Sequence, residues 1–137
     1  MTPEKDIESI VRSVCPDSGH WPYTRESDLF VGWKPAGDTV AQMAGNRIAR
    51  MQVSYDLIVI GVKRGDMAQR METLRFKLYA ALRAGGWKLE APPGPETYDD
   101  RQQRFLWPIS VCKGFTLDEQ GAPEDPKREI GEKPISP

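Results

Sequence analysis

The stretch Arg47-Ile48-Ala49-Arg50-Met51-Gln52-Val53-Ser54-Tyr55-Asp56-Leu57-Ile58-Val59-Ile60-Gly61-Val62 decides the fold. Met51, Val53, Tyr55, Leu57 and Val59 alternate with Gln52, Ser54 and Asp56, the period of two that marks a strand with one wet face. From Leu57 the run Leu57-Ile58-Val59-Ile60 is apolar on both faces. The strand therefore begins half-solvated and ends covered, by helices or by a neighbouring subunit. A strand of this length predicts the spine of a sheet.

Downstream, Lys63-Arg64-Gly65-Asp66 turns into a helix, with Asp66 as cap and Gln69 reaching back in an approximate capping box. Met67, Met71, Leu74, Leu78, Ala81 and Leu82 then form a core-facing stripe over about four turns. Arg70, Glu72, Arg75, Lys77 and Arg83 take the other sides, and Gly85-Gly86 ends the helix, because glycine accepts the left-handed cap position. Trp87 to Ala91 reads as a strand. Phe105 to Phe115 reads as its partner, with Phe105, Trp107, Ile109 and Val111 on one face and Leu106, Ser110 and Cys112 on the other. Pro108 cannot donate to a ladder, so this strand is expected at an edge or with a bulge. The connection 92–104 is long for a hairpin and Pro-rich in its first half.

Upstream, Thr2 caps a short helix, Pro3 suits its first position, and Ile7, Ile10, Val11 and Val14 make one apolar stripe. Cys15-Pro16 ends it. Residues 16–27 read as a connection containing Trp21 and Tyr23. Asp28 to Trp33 reads as a strand stopped by Lys34-Pro35-Ala36-Gly37-Asp38, a sequence with turn chemistry. Thr39 to Asn46 is polar and reads as a loop, or as a flap that orders on a partner. The expectation is an α+β fold: a single domain over residues 1–117, with a mainly antiparallel or mixed sheet of about four strands packed by two helices. Residues 118–137 hold six acidic groups, three basic groups and four prolines, with no periodicity. They are expected to form a flexible, acidic, Pro-rich tail.

Composition closes several doors. The chain has 137 residues, 19 basic and 20 acidic, for a net charge of −1, and no basic excess suggests a nucleic-acid coat. Two cysteines and one histidine are too few for a structural zinc site. No apolar run reaches the roughly 18 residues of a membrane span, and the N-terminus is too charged for a signal peptide. A soluble protein made in a reducing cytoplasm is expected.

His20 lies in a loop and reads as a surface histidine. Cys15 and Cys112 carry no signature of a reactive thiolate, and Cys112 reads as a small filler. Asp99-Asp100 lacks a third ligand at calcium-loop spacing. The glycines at 61, 65, 85 and 86 form no phosphate or dinucleotide motif. The residues assign no catalytic group, metal or cofactor. Trp33 and Trp87 lie beside turns, where they either anchor an interface or cover the ends of a small core. Arg47, Arg50, Lys63 and Arg64 flank the long strand as a candidate basic cluster. A small enzyme with an unrecognised site and a nucleic-acid-binding adaptor stay open as alternatives.

The element order, carried by Ile7–Val14, Arg50–Val62, Asp66–Leu82 with Gly85-Gly86, and Phe105–Phe115, resembles the tail-terminator and tail-completion proteins of long-tailed bacteriophages. The resemblance implies a structural virion protein, not an enzyme, assembled in the bacterial cytoplasm. It would cap the tail tube as a ring, usually hexameric, and join it to the head. Its partners would be further copies of itself and the tail-tube and head-connector proteins, with DNA passing through the lumen and no membrane involved. It further implies contact surfaces on the 34–46 loop and the 92–104 hairpin. The residues concerned are Trp33, Pro35, Asp38 and Met43, then Pro93, Tyr98, Asp99, Asp100 and Arg101, together with Trp107. Asp99 and Asp100 are candidates for an acidic lumen. The proline-dense C-terminus departs from the family pattern, which leaves tail-facing and head-facing roles, and the related head-closure and tail-tube proteins, as alternatives.

Overall fold

In the computed structural model, which describes residues 2–22, 27–90 and 94–124, the stretch from Arg47 to Val62 is one unbroken strand. The elements run α1 (Pro3–Val14), β1 (Ser18–His20), β2 (Leu29–Ala44), β3 (Arg47–Val62), α2 (Met67–Ala84), β4 (Lys88–Leu89), β5 (Thr97–Asp99) and β6 (Arg104–Thr116). They build one six-stranded mixed sheet in the order β1-β2-β3-β6-β4, with β5 also on β6. Only β1 runs parallel to its neighbour. The α+β class and the two helices agree with the sequence; the extra strands are β1 and β5, too short to show a period.

α1 forms as its sequence dictates. The Lys5 N–H donates to Thr2 Oγ1 at 3.2 Å, Pro3 opens the helix, and the Cys15 N–H closes it on the Val11 carbonyl at 2.8 Å. α2 departs at its start, where Asp66 makes no side-chain cap bond and the capping box is absent, and ends as expected, with Gly86 (φ +90°) in the left-handed position. Ile7 and Val11 of α1 and Met67, Met71, Leu74, Leu78 and Leu82 of α2 are buried on the face that carries Val53, Tyr55, Leu57 and Val59 of β3. Trp33 from β2 and Ile109, Val111 and Phe115 from β6 complete this core.

The opposite face is lighter. Phe30, Ile60 and Leu106 share one cross-strand row there, and Trp21 lies over Gly32 so closely that a Cβ on Gly32 would sit 2.7 Å from the indole. This cover buries Ile60, which explains why β3 turns apolar on both faces after Leu57.

The largest correction concerns residues 34–46. They are neither a stop nor a loop: β2 continues through Pro35 and Asp38 to Ala44, in antiparallel register with β3. Two devices permit this. The register slips between Pro35 and Gly37, taking Ala36 out of the ladder. Gly45, at φ +65°, then supplies the tight connection back to Arg47. A second correction concerns the second half of 92–104, where Thr97–Asp99 pairs with β6 and only 100–103 form a turn. A third concerns the tail: Asp118 Oδ1 accepts the N–H groups of Gln120 and Ala122 at 2.9 Å, and the Glu124 N–H donates to the Thr116 carbonyl. The first seven residues of the expected flexible tail therefore fold back on the strand end, and 125–137 lie outside the described residues.

Pro108 sits inside the sheet, between β3 and the outer strands. Its carbonyl accepts from the Gly94 N–H at 3.0 Å, so its nitrogen also points away from β3, into the gap between β4 and β5 where no ladder needs a donor.

Candidate assembly surface

The two halves of the β2–β3 pair differ in what accompanies them. β1 covers the outer edge of β2 only at Val31, Gly32 and Trp33. Beyond Trp33, among the described residues, no strand pairs with that edge, and every residue from Lys34 to Ala44 is exposed. At about 3.3 Å per residue this is a free strand edge roughly 35 Å long. Asp38 pairs with Val53 and Val40 with Met51, so both lie on the face that forms the core further along the sheet. Met43 pairs with Ile48 at the next step toward the tip. Val40 is 46% exposed, so the core face of the sheet runs out past the helices onto an uncovered arm, and Met43 near its tip is 51% exposed.

The resemblance-implied contact residues divide sharply. Pro35, Asp38 and Met43 lie on the arm and are exposed. Trp33 is 2% exposed, with its Nε1–H donating to Glu4 at 3.4 Å and the Arg12 guanidinium over its ring. It is core and cannot offer its ring to a partner. Trp87 is equally buried, edge-on to Tyr55 and Phe115. Trp107 is half-buried: the Arg75 guanidinium stacks 3.8 Å from its ring centre, and its Nε1–H donates to Tyr79 Oη at 3.1 Å. The three indoles close the ends of the monomer's own core.

Tyr98 is half-buried against Phe105, with Lys63 Nζ 5.1 Å from its ring centre. Asp99 is a turn-former, its Oδ1 accepting the Arg101 N–H at 3.0 Å. Asp100 and Arg101 are exposed in that turn, and Pro93 lies outside the described residues. The basic quartet does not cluster. Arg47 and Arg50 stand at one end of β3 and Lys63 and Arg64 beyond the other, some 40 Å or more apart at about 3.3 Å per residue.

One residue of this surface escaped the sequence reading. Phe76 on α2 is 61% exposed and packs edge-on against Tyr79, ring centres 5.8 Å apart. Its signal was present: it falls two positions after Leu74, about 200° around the helix from the core stripe. Thr73, Phe76, Ala80 and Ala84 make a second, low stripe along the outer side of α2, all exposed.

Burial dominates at both thiols and at Tyr55. Burial pushes the Cys15 and Cys112 thiols up, away from the reactive thiolate. Burial, reinforced by the Glu4 and Asp38 carboxylates, pushes the Tyr55 hydroxyl up to about 12. Asp6 Oδ2 accepts from Lys113 Nζ at 2.6 Å and from Trp87 Nε1 at 3.2 Å, tying α1 to β6. His20 is exposed, its Nδ1–H donating to the Trp21 carbonyl at 2.8 Å. Val14, Leu29, Gln69, Arg70, Leu74 and Lys77 line an open groove of about 450 Å³ between α1, α2 and the start of β2. Among the described residues no three His, Cys, Asp or Glu side chains gather to hold a metal ion, and no helix is long and apolar enough to cross a membrane. Neither a protein-family model nor a curated protein matches the chain.

Proposed function

We propose that this chain is a structural subunit of a bacteriophage neck, capping the tail tube as a ring of copies and joining it to the head. The observation that carries the reading is the free edge of β2 from Lys34 to Ala44, exposed throughout, with Val40 on its core-side face and Met43 near its tip. A long uncovered edge is an aggregation hazard that natural sheets blunt or cover, and a ring covers it with the next subunit. The sheet-and-helix body supplies the rigid wedge that sets the angle between neighbours. The order of elements, which resembles that of the tail-terminator proteins, supports the tail tube as the ring's seat and the virion as its location. DNA would pass through the ring without specific contact.

The test is light scattering after size exclusion, with negative-stain imaging, on the chain alone and with purified tail tubes. A closed ring, free or seated on tube ends, is the expected result. A monomer at every concentration that ignores tube ends overturns the reading. So does turnover of a small molecule that disappears when one side chain is replaced.

A further inference from the structure

We propose that the arm of one copy, at Val40 and Met43, packs along the Thr73-Phe76-Ala80-Ala84 stripe on α2 of the next copy. The inference rests on the ring reading and names the surface that builds it.

A ring contact is heterologous: it joins two different patches carried by the same chain. Among the described residues the exposed large apolar side chains are Val40, Met43, Phe76 and Leu89. Val40 and Met43 lie on a sheet edge beyond the helices, whereas Phe76 lies on the side of α2 turned from the sheet, since Leu74 and Leu78 face the core. The arm pairs with β3 out to Ala44, through register shifts after Pro35, Val40 and Gln42, so within one copy the two patches stay apart.

The patches are also complementary in relief. Phe76 is a fixed ridge: it rests on Tyr79, whose hydroxyl is held by Trp107, whose ring is in turn stacked by Arg75. An aromatic anchor already immobilised loses little freedom on binding. Thr73, Ala80 and Ala84 around it are short and admit a strand edge closely. Met43 is the adaptable partner, able to fit an irregular surface.

Charge fixes a direction. On the arm, Asp38 precedes Val40, and Arg47 stands opposite Ala44, where it also donates to the Asp118 carbonyl. The α2 stripe is flanked by Glu72 and Arg83 on one side and by Arg70 and Lys77 on the other. Asp38 to Ala44 spans about 20 Å at 3.3 Å per residue. Glu72 to Arg83 spans about 16 Å at 1.5 Å per residue. The match places Asp38 beside Arg83 and Arg47 beside Glu72, so the arm runs antiparallel to α2.

The test is site-directed cross-linking in the assembled protein, with Met43→Cys and Phe76→Cys as separate variants, mixed, and combined in one chain. The native Cys15 and Cys112 are 7% and 9% exposed and stay silent. The expected result is a mild-oxidation dimer in the mixture, a ladder up to ring size in the doubly substituted chain, and nothing in either single variant. Phe76→Glu is expected to weaken assembly about tenfold or more, with the monomer's melting unchanged because the side chain is exposed. A dimer in Met43→Cys alone would mean arm-to-arm pairing and overturns the proposal. Rings that form without the mixed cross-link overturn it while leaving the ring reading standing. Absence of any ring, alone or on tail tubes, removes both.

Discussion

β2 and β3 pair along their whole length, yet their two halves live in different surroundings. From Leu29 to Trp33 against Leu57 to Gly61, the pair is sandwiched between the helix core and the Trp21–Phe30 cover. From Lys34 to Ala44 against Arg47 to Asp56, β2 carries neither helix nor outer strand, while Val53 and Tyr55 of β3 stay buried. The ladder runs on through the bulges of the arm, so the difference in burial comes from which elements reach each half. The apolar spacing of the arm is therefore a core face without its core, and it is the feature on which assembly is argued.

The sharpest way to break this comparison is to remove equal apolar bulk from each half. Leu57 is fully buried, and Leu57→Ala is expected to cost about 3 kcal/mol of stability through lost transfer energy and an unfilled cavity. Met43→Ala, half-exposed on the arm, is expected to stay within about 0.5 kcal/mol in the monomer. Urea unfolding of dilute protein reads both. Similar losses would mean that the arm belongs to the cooperative core, and the contrast would collapse.

Next in size is the link that closes the body. Asp6 accepts from both Lys113 and Trp87, and the Asp6 and Lys113 side chains are 14% and 17% exposed. Asp6→Ala leaves the Trp87 and Lys113 donors without their acceptor and is expected to cost about 2 kcal/mol. A loss below about 0.5 kcal/mol in the same unfolding assay, the range of ordinary surface changes, would show that water replaces the carboxylate there.

Tyr55 tests how far the core's low polarity extends toward the arm. Its hydroxyl is raised to about 12 by burial first and by Glu4 and Asp38 second. Between the unfolded value of 10.0 and about 12 the unfolded chain has lost the proton that the folded chain keeps. Stability must therefore fall as pH rises through this window, and the stability is fully present below pH 10. By pH 11 the loss is on the order of 1 kcal/mol. Tyr55→Phe should flatten that slope relative to the parent, and identical slopes would refute the assignment to Tyr55.

What was legible in the sequence follows the strength of its periods. β3, α1, α2 and β6 each present a long regular stripe, and each appears within a residue or two of its expected bounds. The arm was not legible because Pro35 and Gly37 carry turn chemistry, and only the bulge that removes Ala36 from the ladder lets a strand pass through them. The two-residue Gly45-Asn46 connection was its one overt hairpin signal. Trp33 and Trp87 read equally as interface anchors or as covers for the ends of the core because they neighbour turns, and long-range partners, Glu4 and Asp6 on α1, bury their donors. Such pairings join residues 29 and 81 positions apart, and no local pattern encodes them. The site divided in the same way: Asp38 and Met43 were placed by the resemblance, while Phe76 was hidden in a helix whose core stripe dominates its pattern.

The smallest effect is expected at the prolines, one in each half. Within a strand the N–H and C=O of one residue point to the same side. The Val31 N–H and the Trp33 carbonyl both point to β1, so two residues on, the nitrogen of Pro35 faces the free edge. Pro108 faces the gap between β4 and β5 for the reason its Gly94 contact reveals. Neither proline withholds a donor that the sheet needs, and Pro35→Ala or Pro108→Ala should lower stability by only about 0.5 kcal/mol, the entropy that proline removes from the unfolded chain. The two nevertheless part company in assembly. A new N–H at position 108 meets no partner strand, whereas one at position 35 adds a donor to the edge on which the ring is argued to depend. Tighter association for Pro35→Ala than for Pro108→Ala would show that the backbone of the arm, and not only Val40 and Met43, takes part in the contact. Equal association would confine the contact to the side chains.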